Sequence, residues 1–132
     1  MITIPYNTTY RPKNPPIPIL DIDLESTCKN PPPPKPLSAI IDTGCDYSII
    51  PDSEAKTLKL IQRGIEYIDF GLGPKKYPRY ELRLNVSNVK SLPKCYAVAT
   101  PTKETILGRN IINYWRIELD GTTTPVPTLT IY

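Results

Sequence analysis

Seventeen prolines distributed over 132 residues constrain the fold of this chain more than any other feature of its sequence. Proline lacks a backbone N–H and interrupts helices, and its usual share is about 5% of residues. The chain is therefore expected to be loop-rich and mainly β, with few long helices. Its 17 prolines and 6 glycines together stay below the roughly 25–30% typical of disordered low-complexity chains. We expect one folded domain.

Short alternating segments support a mainly β fold. In Ile19–Glu25, apolar residues alternate with acidic ones, which predicts a half-buried strand. Further predicted strands are Ile2–Ile4, Leu37–Ile41, Ile65–Phe70, Tyr80–Val86, Tyr96–Ala99, Ile106–Gly108, Trp115–Leu119 and Leu129–Tyr132. Asp52–Leu60 and Asn110–Tyr114 are predicted to be helical. The expected architecture is about eight short strands with one or two short helices.

A proline-rich segment, Cys28–Pro36, separates two of the predicted strands. Such a run is typical of a stiff hairpin loop. Alternatively, it is a polyproline ligand for a partner domain.

The composition excludes several classes of enzyme. The chain has no histidine, which removes the usual Ser-His-Asp and Cys-His nucleophilic sites and the common zinc sites. Neither standard glycine-rich phosphate loop is present. The net charge of +3 is spread along the chain, so we expect no nucleic-acid partner. An enzyme of this composition depends on carboxylates, with no metal and no cofactor.

The cysteines and the apolar runs bear on location. Cys28, Cys45 and Cys95 are an odd number without metal-ligand spacing, which favours a reduced, cytoplasmic protein. The N-terminal segment Met1–Pro5 lacks the pattern of a secretion signal. No apolar run approaches the ~18 residues of a membrane span, so no membrane association is expected.

The stretch Leu37–Pro51, LSAIIDTGCDYSIIP, carries the main functional signal. An apolar strand ends at Asp42-Thr43-Gly44, and a second apolar pair follows a few residues later. Burying a carboxylate without a partner is costly, so Asp42 is expected at a turn or beside a cleft. Without further context, Asp42 is simply a turn residue between a strand and a helix.

A second element changes that interpretation. Ile106-Leu107-Gly108-Arg109-Asn110 lies far downstream of Asp42-Thr43-Gly44. With these two elements in this order, the sequence from about Ile17 to Leu119 resembles the retropepsin-like aspartic proteases. That resemblance implies a single-domain acid protease fold, with closed barrel-like sheets, a flap hairpin and one or two short helices.

The resemblance assigns Asp42 as the catalytic residue. Peptide hydrolysis by carboxylates alone needs two of them close together, sharing one proton. The chain has one Asp-Thr-Gly motif and the length of one domain, so the second aspartate is expected from another copy in a C2 homodimer. By resemblance, Thr43 and Gly44 support the active-site loop. Asp46 contacts the substrate backbone and forms a structural ion pair with Arg109.

Gly71–Tyr80 is the predicted flap, with Gly71, Leu72 and Gly73 as substrate-binding residues at its tip. The prolines of this segment predict a stiffer hairpin than is usual in the family. Cys45 replaces the small residue that the family has next to Gly44. It is either an apolar filler or a redox-sensitive neighbour of the site.

The expected organisation is an N-terminal extension or dimer strand in residues 1–16 and a protease domain in residues 17–132. The expected function is that of an aspartic endopeptidase acting on extended polypeptides. One alternative is a retropepsin-like domain that binds peptides or assembles, with weak or no cleavage. Another is a protease that matures only its own precursor, against which the start at Met1 argues mildly.

Overall fold

A computed structural model of the chain describes residues 1–87 and 90–132. Within these ranges the backbone forms ten strands and two short helices. In chain order they are β1 (Ile2–Pro5), β2 (Ile19–Glu25), β3 (Lys35–Ile41), β4 (Ile49–Pro51), α1 (Asp52–Thr57), β5 (Ile61–Asp69), β6 (Pro74–Val86), β7 (Lys90–Thr100), β8 (Thr105–Leu107), α2 (Arg109–Ile112), β9 (Ile117–Asp120) and β10 (Thr128–Ile131).

Six strands close into a barrel. Neighbouring strands follow the order β2-β3-β8-β4-β7-β6, and β6 pairs back with β2. The strand β5 pairs with the other end of β6 and extends the sheet as a long hairpin. A separate three-stranded sheet has the order β1-β10-β9. The prediction of a mainly β, closed barrel-like fold is confirmed.

The core lies inside the barrel. On β2, the predicted alternation is observed: Leu20, Ile22 and Leu24 are buried, whereas Asp21 is exposed. Aliphatic side chains of the other strands complete the core, including Ala39, Ile41, Ile50, Leu82, Leu84, Val86, Ala97, Ala99 and Leu107. Because this apolar surface is removed from water, its burial drives folding.

Helix α1 ends at Thr57, three residues before the end predicted from the sequence. Lys59 adopts a left-handed conformation with φ of 53°. The Lys59 amide donates to Lys56 O, and the Leu60 amide donates to Ala55 O. This pair of bonds is the Schellman termination, which usually has glycine at the left-handed position.

The strand β6 begins at Pro74, so it includes most of the segment predicted as the flap loop. Both prolines of that segment lie in its first half, where β6 pairs only with β5. Proline is tolerated there because one side of the strand has no neighbour to receive an N–H. The turn of the hairpin is therefore confined to residues 70–73. The prediction of about eight strands was low, because β4 was not among the predicted strands.

The N-terminal strand β1 pairs with β10 of the same chain, with Ile4 opposite Leu129. A further bridge joins Asn7 to Ile17. The division of the chain at residue 17 stays a prediction. The proline run lies in the connection between the antiparallel strands β2 and β3, as expected for a hairpin loop, and its use as a ligand stays untested.

Glu81 is a buried carboxylate on β6, with only 6% of its surface exposed. It accepts a hydrogen bond from the Thr27 hydroxyl, and it lies 3.6 Å from Arg63 Nε and 3.5 Å from Lys94 Nζ. The hydrogen bond from Thr27, followed by the two cations, lowers the pKa of Glu81. The ionised form is thus the one that the fold stabilises.

We expect Glu81→Gln to destabilise the protein at neutral pH and to matter less in acid. The pKa of Glu81 is lower in the folded than in the unfolded state, where it is about 4.3. Its contribution to the free energy of unfolding is therefore fully present above about pH 4.3, and it is lost as the pH falls through the pKa of the folded state. Urea unfolding of both proteins from about pH 7 to about pH 3 measures the difference. A difference that stays constant over this range would contradict the assignment.

Candidate active site

Asp42 lies directly after β3, at the point where the barrel strands end. The last residues of β3 pair in parallel with β8, with Ile41 opposite Leu107, and both of these side chains are buried. The Asp42 amide continues the pairing by donating to Leu107 O at 3.0 Å. Asp42 itself is half-buried. The buried ends of two strands thus place one carboxylate at the surface of the barrel.

The turn after Asp42 orients this carboxylate. The Gly44 amide donates to Asp42 Oδ1 at 2.9 Å, and the Cys45 amide donates to Asp42 O at 3.3 Å. A Cβ on residue 44 would lie 3.3 Å from Asp42 Oδ1, closer than most such contacts. Glycine at position 44 therefore keeps the turn tight around the carboxylate.

Asp46 and Arg109 are in contact, as predicted from the two motifs. Arg109 Nη2 donates to Asp46 Oδ1, while the Arg109 amide donates to Cys45 O at 2.8 Å. The Asn110 amide also donates to Asp46 O at 3.2 Å. The side-chain pair is well exposed, and such pairs contribute little to stability.

A buried network that the sequence analysis did not assign holds the same loop more firmly. Asn110 Oδ1 accepts hydrogen bonds from the Ser48 amide and hydroxyl, both at 2.8 Å, and Asn110 Nδ2 donates to Tyr96 O at 2.8 Å. The Ser48 hydroxyl accepts from the Gly108 amide at 3.0 Å. Asn110 belonged to the recognised motif, but nothing in the sequence identifies Ser48 as its partner.

We expect Asn110→Ala to lower the free energy of unfolding by about 2 kcal/mol, because it leaves the buried groups of Ser48 unpaired. Asp46→Asn removes only an exposed ion pair and is expected to cost less than about 1 kcal/mol. Chemical denaturation measures both. Asn14→Ala is the matched control, because Asn14 is exposed and lies in the N-terminal segment, outside this network. Equal effects of the two asparagine variants would contradict the network.

The loop of residues 42–48, here called the Asp42 loop, is separated from the β5–β6 hairpin by a cavity of about 290 Å³. Residues 44–47 form one wall and residues 67–70 form the other. Aromatic side chains contribute to both walls, namely Tyr47, Tyr67 and Phe70. The cavity is open to solvent, and residues 67–69 of the strand β5 border it. The space between the two walls can therefore take an extended peptide.

The predicted flap-tip residues form the turn of that hairpin. Asp69 Oδ1 accepts from the amides of Gly71 and Gly73, at 2.7 and 3.1 Å. Both glycines have positive φ, 100° and 91°, which favours glycine. Leu72 is 86% exposed. None of these three lines the cavity beside Asp42, whose hairpin wall is formed by the preceding residues.

Thr43 faces a different surface from the cavity. Together with apolar side chains it lines an open groove of about 380 Å³. The remaining lining residues are Ile112, Asn113, Trp115, Ile117 and Leu119. The groove runs along β9, one of the two edge strands of the three-stranded sheet.

Cys45 lines the cavity and is half-buried. Its thiol donates to Tyr47 O at 3.0 Å, and burial is the main cause that raises its pKa. A raised pKa disfavours the reactive thiolate. This environment favours the apolar-filler interpretation.

Across residues 1–87 and 90–132, no group of three or more potential metal-ligating side chains is found. Nor does this part of the chain contain a helix long and apolar enough to cross a membrane.

Comparisons with solved structures identify the fold. The fold is that of the retropepsin-like aspartic proteases, as the two motifs led us to expect. A retropepsin-like aspartic protease from Rickettsia conorii matches with a TM-score of 0.64 and 13% identity, over 98% of this chain and 88% of that one. EIAV protease complexed with the inhibitor HBY-793 matches with a TM-score of 0.56 and 20% identity, over 80% of this chain and 92% of that one. No protein-family model matches the sequence, and a search of curated proteins finds no match.

Proposed function

We propose that the chain is an aspartic endopeptidase that hydrolyses extended polypeptides as a C2 homodimer, with one Asp42 from each subunit. The observation that carries this proposal is the placement of Asp42. The buried ends of β3 and β8 present it at the surface, the Gly44 amide orients it, and a cavity of about 290 Å³ opens beside residues 44–47 of the same loop. This arrangement occurs in a fold shared with known aspartic proteases.

In the proposed mechanism, the two Asp42 carboxylates share one proton because like charges so close cannot both ionise. The ionised carboxylate accepts a proton from a water molecule, whose oxygen attacks the scissile carbonyl carbon. The protonated carboxyl donates its proton to the carbonyl oxygen. As the tetrahedral intermediate collapses, the protonated carboxyl donates its proton to the leaving nitrogen and the C–N bond breaks. One hydroxyl of the intermediate gives its proton to the ionised carboxylate, so the pair again holds one proton.

The groove beside Thr43 supports the dimer. A second copy can bring its Asp42 near the first only by covering the surface that carries the Asp42 loop, and Thr43 lies on that surface with four apolar neighbours. The outer strand β9 borders the same groove.

The predicted roles of the remaining site residues are part of this proposal. Thr43 and Gly44 brace the loop, and Asp46, held by Arg109, contacts the substrate backbone. Gly71, Leu72 and Gly73 form the hairpin tip that closes over the peptide. We also place the protein in the cytoplasm, because its three cysteines are free thiols.

The experiment that tests the proposal combines cleavage and mass. The protein is incubated with a mixed peptide library at mildly acidic pH, and its mass in solution is measured under the same conditions. Cleavage by a dimer is expected. Cleavage by a strict monomer would contradict the mechanism, and a stable dimer that binds peptides without cleaving them would favour the alternative of a peptide-binding domain.

A further inference from the structure

Four consecutive prolines, here called the tetraproline segment (Pro31–Pro34), lie in the connection between β2 and β3. Pro31, Pro32 and Pro33 are each followed by another proline. The ring of each one fixes its φ at about −65°, and the proline that follows restricts its ψ to extended values. These are the dihedral angles of polyproline II, a stiff helix with about three residues per turn. The segment therefore has this extended form before any partner binds.

The edges of this polyproline II helix differ in exposure. With about three residues per turn, Pro31 and Pro34 share one edge, Pro33 lies on the second and Pro32 on the third. Pro32 is half-buried, whereas the other three prolines are exposed. Among the residues that the structure describes, no backbone amide donates to the carbonyl oxygens of residues 31–33. Two proline edges are thus presented to solvent, and these carbonyl oxygens can accept hydrogen bonds from a partner.

Both ends of the connection contact helix α1 or the residues directly after it. The Ser26 hydroxyl donates to Lys59 O at 3.1 Å, and it accepts from the Cys28 amide at 3.1 Å. At the other end, Lys35 Nζ lies 3.9 Å from Glu54 Oε1. Because the segment is stiff and held at both ends, little of the binding free energy is lost in ordering it.

The surroundings of the tetraproline segment are basic. Lys29 and Lys35 flank it, and Lys56 and Lys59 lie at the end of α1 that the connection contacts. All four side chains belong to exposed residues. A partner surface that carries carboxylates therefore complements this end of the barrel, whereas a basic surface would be repelled.

The segment lies at the opposite end of β3 from the candidate active site. The strand β3 begins directly after Pro34, and Asp42 follows its last residue. A strand of 7 residues at about 3.3 Å per residue is about 23 Å long. A small domain bound to the segment therefore need not cover the cavity of the Asp42 loop.

We propose that the tetraproline segment and the lysines around it form a docking site for a protein domain that has an aromatic-lined groove with carboxylates on its rim. Aromatic rings of such a groove pack between the proline edges, and their polar groups donate to the carbonyl oxygens of the ligand. The carboxylates of the rim pair with Lys29 and Lys56. The site does not depend on the proposed protease function, because it uses none of the groups assigned to catalysis or substrate binding.

Titration with purified SH3, WW and EVH1 domains tests the docking site, because all three classes bind polyproline II segments in aromatic-lined grooves. Each ¹⁵N-labelled domain is titrated with the intact, unlabelled chain, and NMR chemical shifts of the domain report binding. We expect at least one class to bind, with its largest shifts at the aromatic residues of the groove. Absence of binding by all three classes, or shifts confined to another surface, would overturn the proposal.

Substitution of one exposed edge tests whether the prolines carry the binding. Pro31→Ala combined with Pro34→Ala is expected to raise Kd about tenfold, because alanine loosens the segment and removes contacts with the groove. The matched control is Pro12→Ala combined with Pro15→Ala, since both of these prolines are exposed and lie in the N-terminal segment. The control should leave Kd unchanged, and equal effects of the two pairs would contradict the proposal. Thermal unfolding shows whether each variant keeps the fold.

A charge variant separates docking in a groove from general adhesion to a basic surface. Lys29→Gln combined with Lys56→Gln is expected to weaken domain binding and to reduce its dependence on salt. Binding that is lost in this variant but unchanged by Pro31→Ala with Pro34→Ala would identify a basic patch without proline recognition, and would overturn the proposal. Peptide cleavage by the wild type decides the proposed function separately.

Discussion

Asp42→Asn is expected to reduce peptide cleavage at least about 10⁴-fold while leaving the fold intact. Removing a residue that takes part directly in the chemistry typically costs this much, because the remaining groups cannot activate the water. The amide oxygen of asparagine can still accept the hydrogen bond from Gly44. The expected loss is therefore one of kcat, and initial rates of peptide cleavage measure it.

Asp23→Asn is the matched control, because Asp23 lies on β2, away from the cavity beside Asp42. Its cleavage rate should equal that of the wild type. Thermal unfolding of both variants shows whether the fold is retained. Substantial cleavage by a folded Asp42→Asn protein would mean that another group carries the chemistry.

Gly108→Ala is expected to have the largest effect on stability, about 3 kcal/mol or a fall of roughly 10 °C in Tm. Gly108 precedes α2, and a Cβ there would lie 2.5 Å from Tyr47 O and 2.7 Å from Cys45 O. Both contacts are with backbone atoms of the Asp42 loop, so the loop must move. Calorimetry measures the change in Tm.

Gly121→Ala is the control for this substitution. Gly121 lies in the turn after β9, and a Cβ there would meet no atom within 4 Å. Its backbone needs no positive φ, so alanine should change Tm by little. Equal destabilisation by the two alanines would contradict the close approach of α2 to the active-site loop.

The sequence predicted the parts of the fold that depend on local pattern. The strand β2 has its predicted bounds because its apolar and acidic residues alternate. The contact between Asp46 and Arg109 was anticipated because two separate motifs of a known fold family occur in the expected order. The first prediction rests on a local pattern, and the second on the resemblance to a known fold family.

Features that depend on distant contacts could not be predicted. Helix α1 is terminated by Lys59, two residues after its end, in a left-handed conformation where the usual signal is glycine. Arg79 has no distinctive neighbours in the sequence, and its contacts with Arg63, Glu66 and Tyr96 are visible only in the structure. The prolines of β6 indicated a loop, whereas the pairing with β5 keeps them in a strand.

The central claim, that one active site uses Asp42 from two subunits, is tested most directly by mixing subunits. Wild-type protein is mixed with a large excess of Asp42→Asn protein until the dimers have exchanged subunits. The cleavage rate is then measured per wild-type subunit. We predict that activity falls nearly in proportion to the excess, because most wild-type subunits then share a site with an asparagine. Activity per wild-type subunit that is unchanged by the excess would show that each chain carries a complete site, and would contradict the account.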